Sequence, residues 1–385
     1  MDNITVSAVR LDEYDPQKAR AALEDAISAV GGLDFVKPGM RIGVKVNLVS
    51  AIKPSHAATT HPVLVRALCE MITERGAEAV IGDSPGGPFA GFYINRVYSV
   101  CGMTDAVTDG VSLNDDFGTS VFENNTEAAV LRKFEYASWV RKVDAVIDFA
   151  KLKTHGMMTL SAAVKNLFGC IPGTVKPEYH YRFPNSRDFA NMLIDIDEFV
   201  KPALSIVDGV VGMEGNGPTM GKPREIGVLV ASRSPYACDR ICAEIIGLEE
   251  ENVPTLALAR ERGLCPPREL IEVKGNGADV RIADFENIER PNSIEFMNEL
   301  PGILGKAFGS FLRKVLCSRP RLVPKKCVGC KKCFEICPAK AITMKKNKPS
   351  IDRKKCIRCF CCQEFCPKGA LKVHRPAIAR IVSKF

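Results

Sequence analysis

Residues 143–170 read VDAVIDFAKLKTHGMMTLSAAVKNLFGC. The first eight have the pattern of a buried strand, and the last part has the pattern of a helix that carries Lys165 and Asn166. Between them stand Lys153 and His155, so several cationic groups directly follow a buried strand. A strand followed by a helix is the repeating unit of an α/β sheet, and polar groups at the end of such a strand indicate a binding site.

The same alternation of strand and helix patterns continues through residue 247. The expected strands cover 4–10, 41–49, 78–83, 145–150, 203–208 and 226–232, and the expected helices cover 15–30, 61–77 and 235–247. Apolar strands separated by helices are typical of a parallel sheet that is covered on both faces. The sequence therefore predicts a layered α/β domain with a largely parallel sheet.

Polar side chains stand where these expected strands end. The candidates are Lys45, Asn47, Asp83, Ser84, Lys153, His155, Asp208 and Glu214, with Lys165 and Asn166 on the helix after residue 155. Each has a structural alternative, because a lysine there is often a solvated rim residue, a histidine a turn residue and an aspartate a turn cap. Their convergence favours function, since the carboxyl ends of parallel strands share one edge of the sheet.

Gathered cations need nearby acids or an anionic ligand. We expect a substrate carboxylate or phosphate to bind there, with contacts from Lys45, Asn47, Asp83, Ser84, Asn166, Asp208 and Glu214. Catalytic roles are expected for His155, Lys165 and Lys153. Histidine is the natural proton donor near neutral pH.

Charge divides the 385-residue chain, whose formal net charge is +8. Residues 321–385 contain 18 Lys plus Arg against three acids, a local net charge of +15, so residues 1–320 carry −7. No apolar run approaches the ~20 residues that span a bilayer, and the first residues lack the pattern of a secretory signal. The sequence thus predicts a cytoplasmic protein without a membrane partner. Nucleic acid is not an expected partner either, since no aromatic-rich motif accompanies the lysines.

Sixteen cysteines in a chain of this kind favour metal binding over disulfides. Residues 327–338 read CVGCKKCFEICP and residues 356–367 read CIRCFCCQEFCP, so both have the spacing C-x2-C-x2-C-x3-C-P. The repeat is an internal duplication, and it resembles the bacterial two-cluster ferredoxin. Tetrahedral zinc is the alternative for four cysteines, but the full repeated spacing is far more specific for iron–sulfur clusters.

The ferredoxin resemblance implies two 4Fe-4S clusters with crossed ligands, because the cysteine before proline reaches the other cluster. One ligand set would be Cys327, Cys330, Cys333 and Cys366, and the other Cys356, Cys359, Cys362 and Cys337. Cys361 lies outside the pattern. The surrounding lysines would offset the negative charge of the clusters or steer an acidic redox partner.

Residues 1–290 resemble the domain of unknown function 362 family. The resemblance rests on KVNLV, HPVL, GDSPGG, KLKTHGMMTLSAAVKNLFGCIPG, DGVVGMEGNGP and SRSPYACD. It implies an α/β domain that is often fused to a ferredoxin unit, and it assigns no reaction. The expected organisation is therefore an α/β domain over 1–290, a linker with a helix over 291–320, a small α+β ferredoxin-like domain over 321–375 and a basic tail over 376–385.

Two functions follow as hypotheses. The first is an iron–sulfur oxidoreductase, a reductase that passes electrons from two clusters to an anionic small molecule in the large domain. The second is an electron-transfer module that docks a partner enzyme. A flavin or further metal would ease two-electron chemistry, but no motif supports one. His155, Lys165 and His180 are similar in spacing to the histidine–lysine arrangement of nickel-pincer lactate racemases, although SAAVKN replaces the glycine-rich pattern of that family.

Overall fold

The computed structural model describes residues 3–288 and 319–374. The chain divides into two units, of which the first comprises Met1–Lys176 with Ser186–Asn287 and the second Pro177–Asn185 with Ile288–Phe385. Most of the expected linker helix and the whole expected basic tail lie outside the described residues. The segment Pro177–Asn185 belongs to the second unit, which the sequence did not predict.

The first unit is built on one large mixed sheet and a separate antiparallel pair of strands at residues 119–122 and 134–137, with helices before and after its strands. Its strands are β1 (Ile4–Arg10), β2 (Arg41–Val46), β3 (Glu78–Gly82), β4 (Val111–Leu113), β5 (Thr119–Phe122), β6 (Phe134–Ala137), β7 (Ala145–His155), β8 (Thr159–Ser161), β9 (Leu204–Glu214), β10 (Lys222–Ser232) and β11 (Ile271–Lys274). Its helices are α1 (Pro16–Ser28), α2 (Pro62–Thr73), α3 (Gly91–Val100), α4 (Ala163–Asn166), α6 (Ser186–Val200), α7 (Pro235–Ile245) and α8 (Pro254–Glu261), and α5 (Lys176–Arg182) runs into the second unit.

The strand order in the described sheet is β11-β1-β10-β9-β7-β2-β3-β4, with β8 paired to β7. All of these pairings are parallel except those of β10 with β1 and β9, and that of β8 with β7. This confirms the predicted α/β class with a largely parallel sheet. Because β2 leads to β3 on one side and β7 leads to β9 on the other, the sheet has its topological switch point between β2 and β7.

Local sequence explains where the main helices begin. Asp15, His61 and Ser234 each precede a proline and accept a backbone N–H of the first turn of α1, α2 and α7, respectively. Helices α1 and α2 bury their apolar sides in one core cluster with alternate residues of the central strands. The opposite residues of these strands, such as Lys45 and Asp148, face the side of α4.

Two strands run further than the sequence predicted. β7 continues through the KLKTH segment to His155, and β9 continues through the first part of the glycine run to Glu214. Gly209 and Gly212 suit the interior of β9 because neighbouring backbone approaches closely. A Cβ at Gly209 would lie only 2.9 Å from Val228 O, and a Cβ at Gly212 only 3.0 Å from Leu152 O. The run DGVVGME is therefore strand, and the predicted strand ends at 150 and 208 were wrong.

The described part of the second unit contains two cysteine loops, and each loop includes one short helix. Its elements are β12 (Arg319–Leu322), α9 (Lys332–Glu335), β13 (Ile342–Lys345), β14 (Lys348–Ile351), α10 (Cys361–Glu364) and β15 (Leu371–His374). β12 pairs antiparallel with β15 and β13 with β14. This arrangement is the small α+β domain that the duplication predicted.

Candidate functional site

The polar residues of β2, β3 and β7 meet at the switch point of the sheet. β2 pairs with β7 only as far as Val46 and Phe149, so the part of β7 from Lys151 to His155 extends beyond the carboxyl end of β2. Ligands of open α/β sheets bind in the crevice outside these strand ends. Although strand β7 is longer than expected, it brings Lys153 to the edge that the sequence predicted.

Lys45 and Asp83 form a buried ion pair at this edge. The Nζ atom of Lys45 lies 2.9 Å from Oδ1 of Asp83, and both side chains are almost wholly buried. The second carboxylate oxygen of Asp83 accepts the N–H of Leu48 at 2.8 Å. Gly169 covers the pair so closely that a Cβ there would stand 2.0 Å from Asp83 Oδ1 and 2.5 Å from Lys45 Nζ. The glycine in the segment after α4 is thus required by close packing.

Two asparagines connect the lysines of β2 and β7. Asn166 Oδ1 accepts hydrogen bonds from Lys45 Nζ at 3.1 Å and from Asn47 Nδ2 at 2.8 Å. Asn47 Oδ1 in turn accepts a 2.6 Å hydrogen bond from Lys153 Nζ, which also donates to Ala58 O at 2.6 Å. Asn47 and Asn166 therefore fix the positions of two buried ammonium groups.

Buried acids lie behind this cluster. Asp148 accepts a 2.7 Å hydrogen bond from Asn166 Nδ2, while its Oδ2 has no hydrogen-bond partner among the described residues. Burial raises the pKa of Asp148 well above its ordinary value, against the opposing effect of Lys45. Asp239 from α7 accepts the N–H groups of Ala163 and Val164 at the start of α4, and burial raises its pKa to about 7.

Lys176 is a further lysine at the same edge. Its Nζ donates to the carbonyl oxygen of Ser84, the residue that follows Asp83. Desolvation lowers the pKa of the half-buried Lys176 to about 8, with Lys45 and Lys165 acting in the same direction and Asp83 opposing them. Lys165 and Lys176 both approach the ring of Phe168, with Nζ 5.9 and 5.3 Å from its centroid. A lysine that titrates near neutral pH can transfer protons.

His155 occupies the tight turn between β7 and β8. Its Nδ1 accepts the N–H groups of Met157 and Met158, both at 3.1 Å. This geometry is the hydrogen-bonded turn that stood as the alternative to a catalytic role. It places the proton of the neutral ring on Nε2, and the role of His155 as a proton donor stays a prediction.

Asp208 and Glu214 bind other partners. Asp208 faces Lys151 across β9 and β7 and accepts its Nζ at 2.8 Å, while Tyr14 OH donates to the other carboxylate oxygen at 2.9 Å. This network lies on the α1–α2 face of the sheet, opposite to the Lys45 side. Glu214 accepts the N–H of Glu286 at 3.1 Å. The contacts observed for Asp208 and Glu214 thus neutralise or anchor other groups, and a substrate contact for either stays a prediction.

The backbone at the strand ends is strained in two places. Val49, just after β2, has φ 52°, and Thr159, just after the turn that follows β7, has φ 65°. β-branched residues rarely adopt this left-handed region, and such strain tends to occur at functional sites. Near these positions, the buried hydroxyls of Thr59, Ser84 and Thr159 have no hydrogen-bond partner among the described residues.

The cysteines of the second unit surround two separate cavities. A pocket that is partly open to solvent, with about 360 Å³ of empty space, is lined by the first cysteine set, which comprises Cys327, Cys330, Cys333 and Cys366. A similar pocket, with about 330 Å³ of empty space, is lined by the second cysteine set, which comprises Cys337, Cys356, Cys359 and Cys362. The crossed grouping of Cys337 and Cys366 is the one that the ferredoxin resemblance implied. Four thiols around a cavity of this kind fit a 4Fe-4S cube, which binds its ligands at four separated corners.

A single metal ion requires ligands that converge on one point. Among residues 3–288 and 319–374, no group of three or more His, Cys, Asp or Glu side chains does so.

In the same residues, no helix is long and apolar enough to cross a bilayer.

Sequence reasoning missed several residues of the site. The residues at this edge that were not selected as candidates are Asp148, Gly169 and Lys176. Tyr14 and Lys151, which bind Asp208 on the opposite face, were not selected either. Asp148 and Lys151 stood in the quoted strand, but the alternation alone did not show which face each would occupy. The signal for Lys176 was weak, because a lysine before proline in a loop is usually exposed.

An α/β sheet with a polar switch point, joined to a unit with two cysteine-lined cavities, defines an α/β protein fused to an iron–sulfur domain. Comparison with family models agrees: residues 42–244 match the domain of unknown function 362 family, and residues 319–367 match the 4Fe-4S dicluster domain. The chain belongs to the domain of unknown function 362 family and carries a ferredoxin-like 4Fe-4S domain, as predicted from its motifs.

One curated relative is a thylakoid-associated protein of Synechocystis, which is 32% identical over 284 residues, covering 69% of this chain and 85% of the relative. Two solved structures match more weakly. A Thermotoga maritima protein has a TM-score of 0.36 at 13% identity, over 61% of this chain and 59% of its own. The lactate racemase apoprotein of Thermoanaerobacterium thermosaccharolyticum has a TM-score of 0.36 at 12% identity, over 62% and 57%. Neither structural match bears on function.

Proposed function

We propose that the protein is an iron–sulfur reductase that binds a small anionic substrate at the carboxyl ends of β2, β3 and β7. The observation that carries this proposal is the pair of ammonium groups of Lys45 and Lys153, which Asn47 and Asn166 hold in place at the switch point. Buried ammonium groups are retained at a desolvation cost. Because Asp83 already neutralises Lys45, an anion at this edge would gain its electrostatic interaction mainly from Lys153.

Strain and incomplete hydrogen bonding support a ligand at this edge. The left-handed conformations of Val49 and Thr159 and the unpartnered hydroxyls of Thr59 and Ser84 lie around the same strand ends. A polar ligand would supply the partners that these hydroxyls lack.

The two cysteine sets would hold the clusters, which supply electrons one at a time. Reduction of one double bond of the substrate consumes two electrons and two protons, and the electrons come from an external redox partner. Lys176, with its pKa near 8, is suited to supply a proton, alongside the roles proposed for Lys165 and His155. Lys153 would hold the anionic group throughout, and Lys45, which Asp83 neutralises, would help to position it through Asn166 and Asn47.

The test uses anaerobically purified holoprotein, reduced chemically and freed of excess reductant. The reduced protein is mixed with a panel of small carboxylates and phosphate esters that contain C=C or C=O bonds, and reoxidation is followed by visible absorbance. We expect at least one compound to reoxidise the wild-type protein. Lys153→Met is expected to slow that reaction at least ~100-fold, whereas Lys18→Met, a change at an exposed lysine, leaves it unchanged.

Equal reoxidation rates in the Lys153→Met variant and the wild type would contradict the proposed site. If no small molecule reoxidises the protein but a redox protein does, the chain is an electron-transfer module and the reductase proposal fails. Iron, sulfide, flavin and nickel assays on the same sample show whether a further cofactor takes part.

A further inference from the structure

The two cysteine loops share one backbone geometry. The first loop, residues 327–337, and the second loop, residues 356–366, are offset by 29 positions. Lys331 and its counterpart Phe360 both have left-handed φ values, 64° and 61°. Cys337 Sγ accepts the N–H of Ala341 at 3.2 Å, and Cys366 Sγ accepts that of Ala370 at 3.1 Å. Differences between the loops are therefore differences of side chains and surroundings.

Exposure differs sharply between equivalent positions. Cys330 is exposed, whereas its counterpart Cys359 is buried. The exposed residues Lys331, Lys332 and Phe334 of the first loop correspond to Phe360, Cys361 and Gln363 of the second, all of which are buried. The first loop is thus the more exposed of the two and the more accessible to an external protein.

The accessible surface of the first loop combines apolar and cationic groups. Val328 is 62% exposed and Phe334 is 48% exposed, and both belong to the few large apolar side chains that are exposed among the described residues. Four exposed lysines, Lys325, Lys326, Lys331 and Lys332, stand beside them in the sequence. We call these six residues the first-loop patch. Among the described residues 319–374, 16 Lys plus Arg stand against three acids, so an acidic protein is the partner whose charge complements this unit.

We propose that electrons enter the chain at the first cysteine set and that the first-loop patch docks a small acidic one-electron carrier protein. Protein interfaces commonly have an apolar centre inside a charged rim, and opposite charges increase the rate of association. In each encounter one electron leaves the reduced carrier, which is oxidised by one electron, and is taken up at the first cysteine set; no bond or proton is transferred. This inference rests on the proposed electron-transfer function but not on the substrate site.

The first experiment measures binding, with an oxidised acidic flavodoxin as the probe and the holoprotein in the calorimeter cell at low ionic strength. The double variant Lys331→Glu/Lys332→Glu is expected to weaken binding at least tenfold. The matched control, Arg353→Glu/Lys354→Glu, makes the same charge change at exposed residues before the second loop and is expected to change affinity less than twofold. Val328→Ser, which removes apolar area at an exposed position, is expected to weaken binding about threefold without a charge change.

The second experiment measures reduction of the holoprotein by reduced flavodoxin in a stopped-flow instrument, with rates normalised to iron content. The reduced benzyl viologen radical, which needs no docking surface, serves as a second donor. Lys331→Glu/Lys332→Glu should slow only the flavodoxin reaction, and added salt should slow the wild-type reaction. Equal losses in the two double variants would overturn the proposal, because the whole unit would then attract the carrier. Unchanged binding in Lys331→Glu/Lys332→Glu, or self-association that this variant abolishes, would also overturn it.

Discussion

Lys45 and Asp83, at the ends of neighbouring strands, form an ion pair of 2.9 Å that is sealed from solvent. Gly169 packs against both partners and leaves no room for a side chain. The packing of the segment after α4 therefore depends on the ion pair, and the geometry of the ion pair depends on that segment. A change at Gly169 should consequently act on the ion pair without altering either charged residue.

Gly169→Ala is expected to destabilise the first unit by about 3 kcal/mol, because the added methyl group must displace Asp83 or Lys45 from a buried pair. Urea unfolding followed by the fluorescence of Trp139, the one tryptophan of the chain, reports on this unit. Gly263→Ala is the control, since its methyl group meets no atom within 4 Å and adds only the strain of φ 71°, about 1 kcal/mol. An equal loss in the free energy of unfolding for the two variants would show that the close packing at Gly169 does not cause the destabilisation.

Asp239 should make the first unit less stable as the pH rises. Its folded-state pKa of about 7 lies above the ordinary value of 3.8. The contribution of Asp239 to the free energy of unfolding is therefore complete below the unfolded pKa and is lost as the pH rises through 7. The loss amounts to at most about 4 kcal/mol for one group. Asp239→Asn is expected to flatten the decline between pH 4.5 and 7.5 in Trp139-monitored unfolding, whereas Asp25→Asn at an exposed site keeps it. An unchanged slope in Asp239→Asn would show that Asp239 is ionised throughout.

Lys176 should titrate near pH 8 because burial disfavours its charged form. After reductive methylation with labelled formaldehyde, the NMR signal that is absent from Lys176→Arg should shift with a midpoint of about 8. A bound anion should move that midpoint upward, since a negative charge favours the ammonium form. A midpoint above 10 in the free protein would rule out Lys176 as a proton donor near neutral pH.

Pairs of cysteine substitutions test the crossed ligand sets. Cys330→Ser/Cys366→Ser changes two members of the first cysteine set and should halve the iron and sulfide content. Cys330→Ser/Cys337→Ser changes one member of each set and should remove nearly all of it. The reverse result would mean that each loop binds its own cluster without exchanging the fourth cysteine.

The sequence was sufficient for the α/β class, the fused ferredoxin-like domain and the edge of the sheet where the polar residues gather. Periodicity found the central strands because they are buried on both faces and read as apolar runs. The segment KLKTH was expected to follow the strand, whereas β7 continues through it. Asn47 and Asn166 were selected only as polar residues at or after the ends of expected strands.

The sequence could not show which charges would pair. Lys151 and Asp208 lie 57 residues apart and meet only because β7 and β9 are neighbours in parallel register. Nor could it show that Gly209 and Gly212 would lie in a strand, since glycine usually ends one. The antiparallel direction of β10 followed from a hairpin with β9 that the predicted strand end at 208 concealed.

Val49 and Thr159 hold conformations that glycine or asparagine would adopt with less strain. Engineering this protein for heat resistance would therefore select replacements at these two positions first. The same replacements would relax the backbone of the segments that follow β2 and β7, beside the proposed anion site. Variants chosen for thermal stability alone are therefore expected to bind the proposed ligand more weakly.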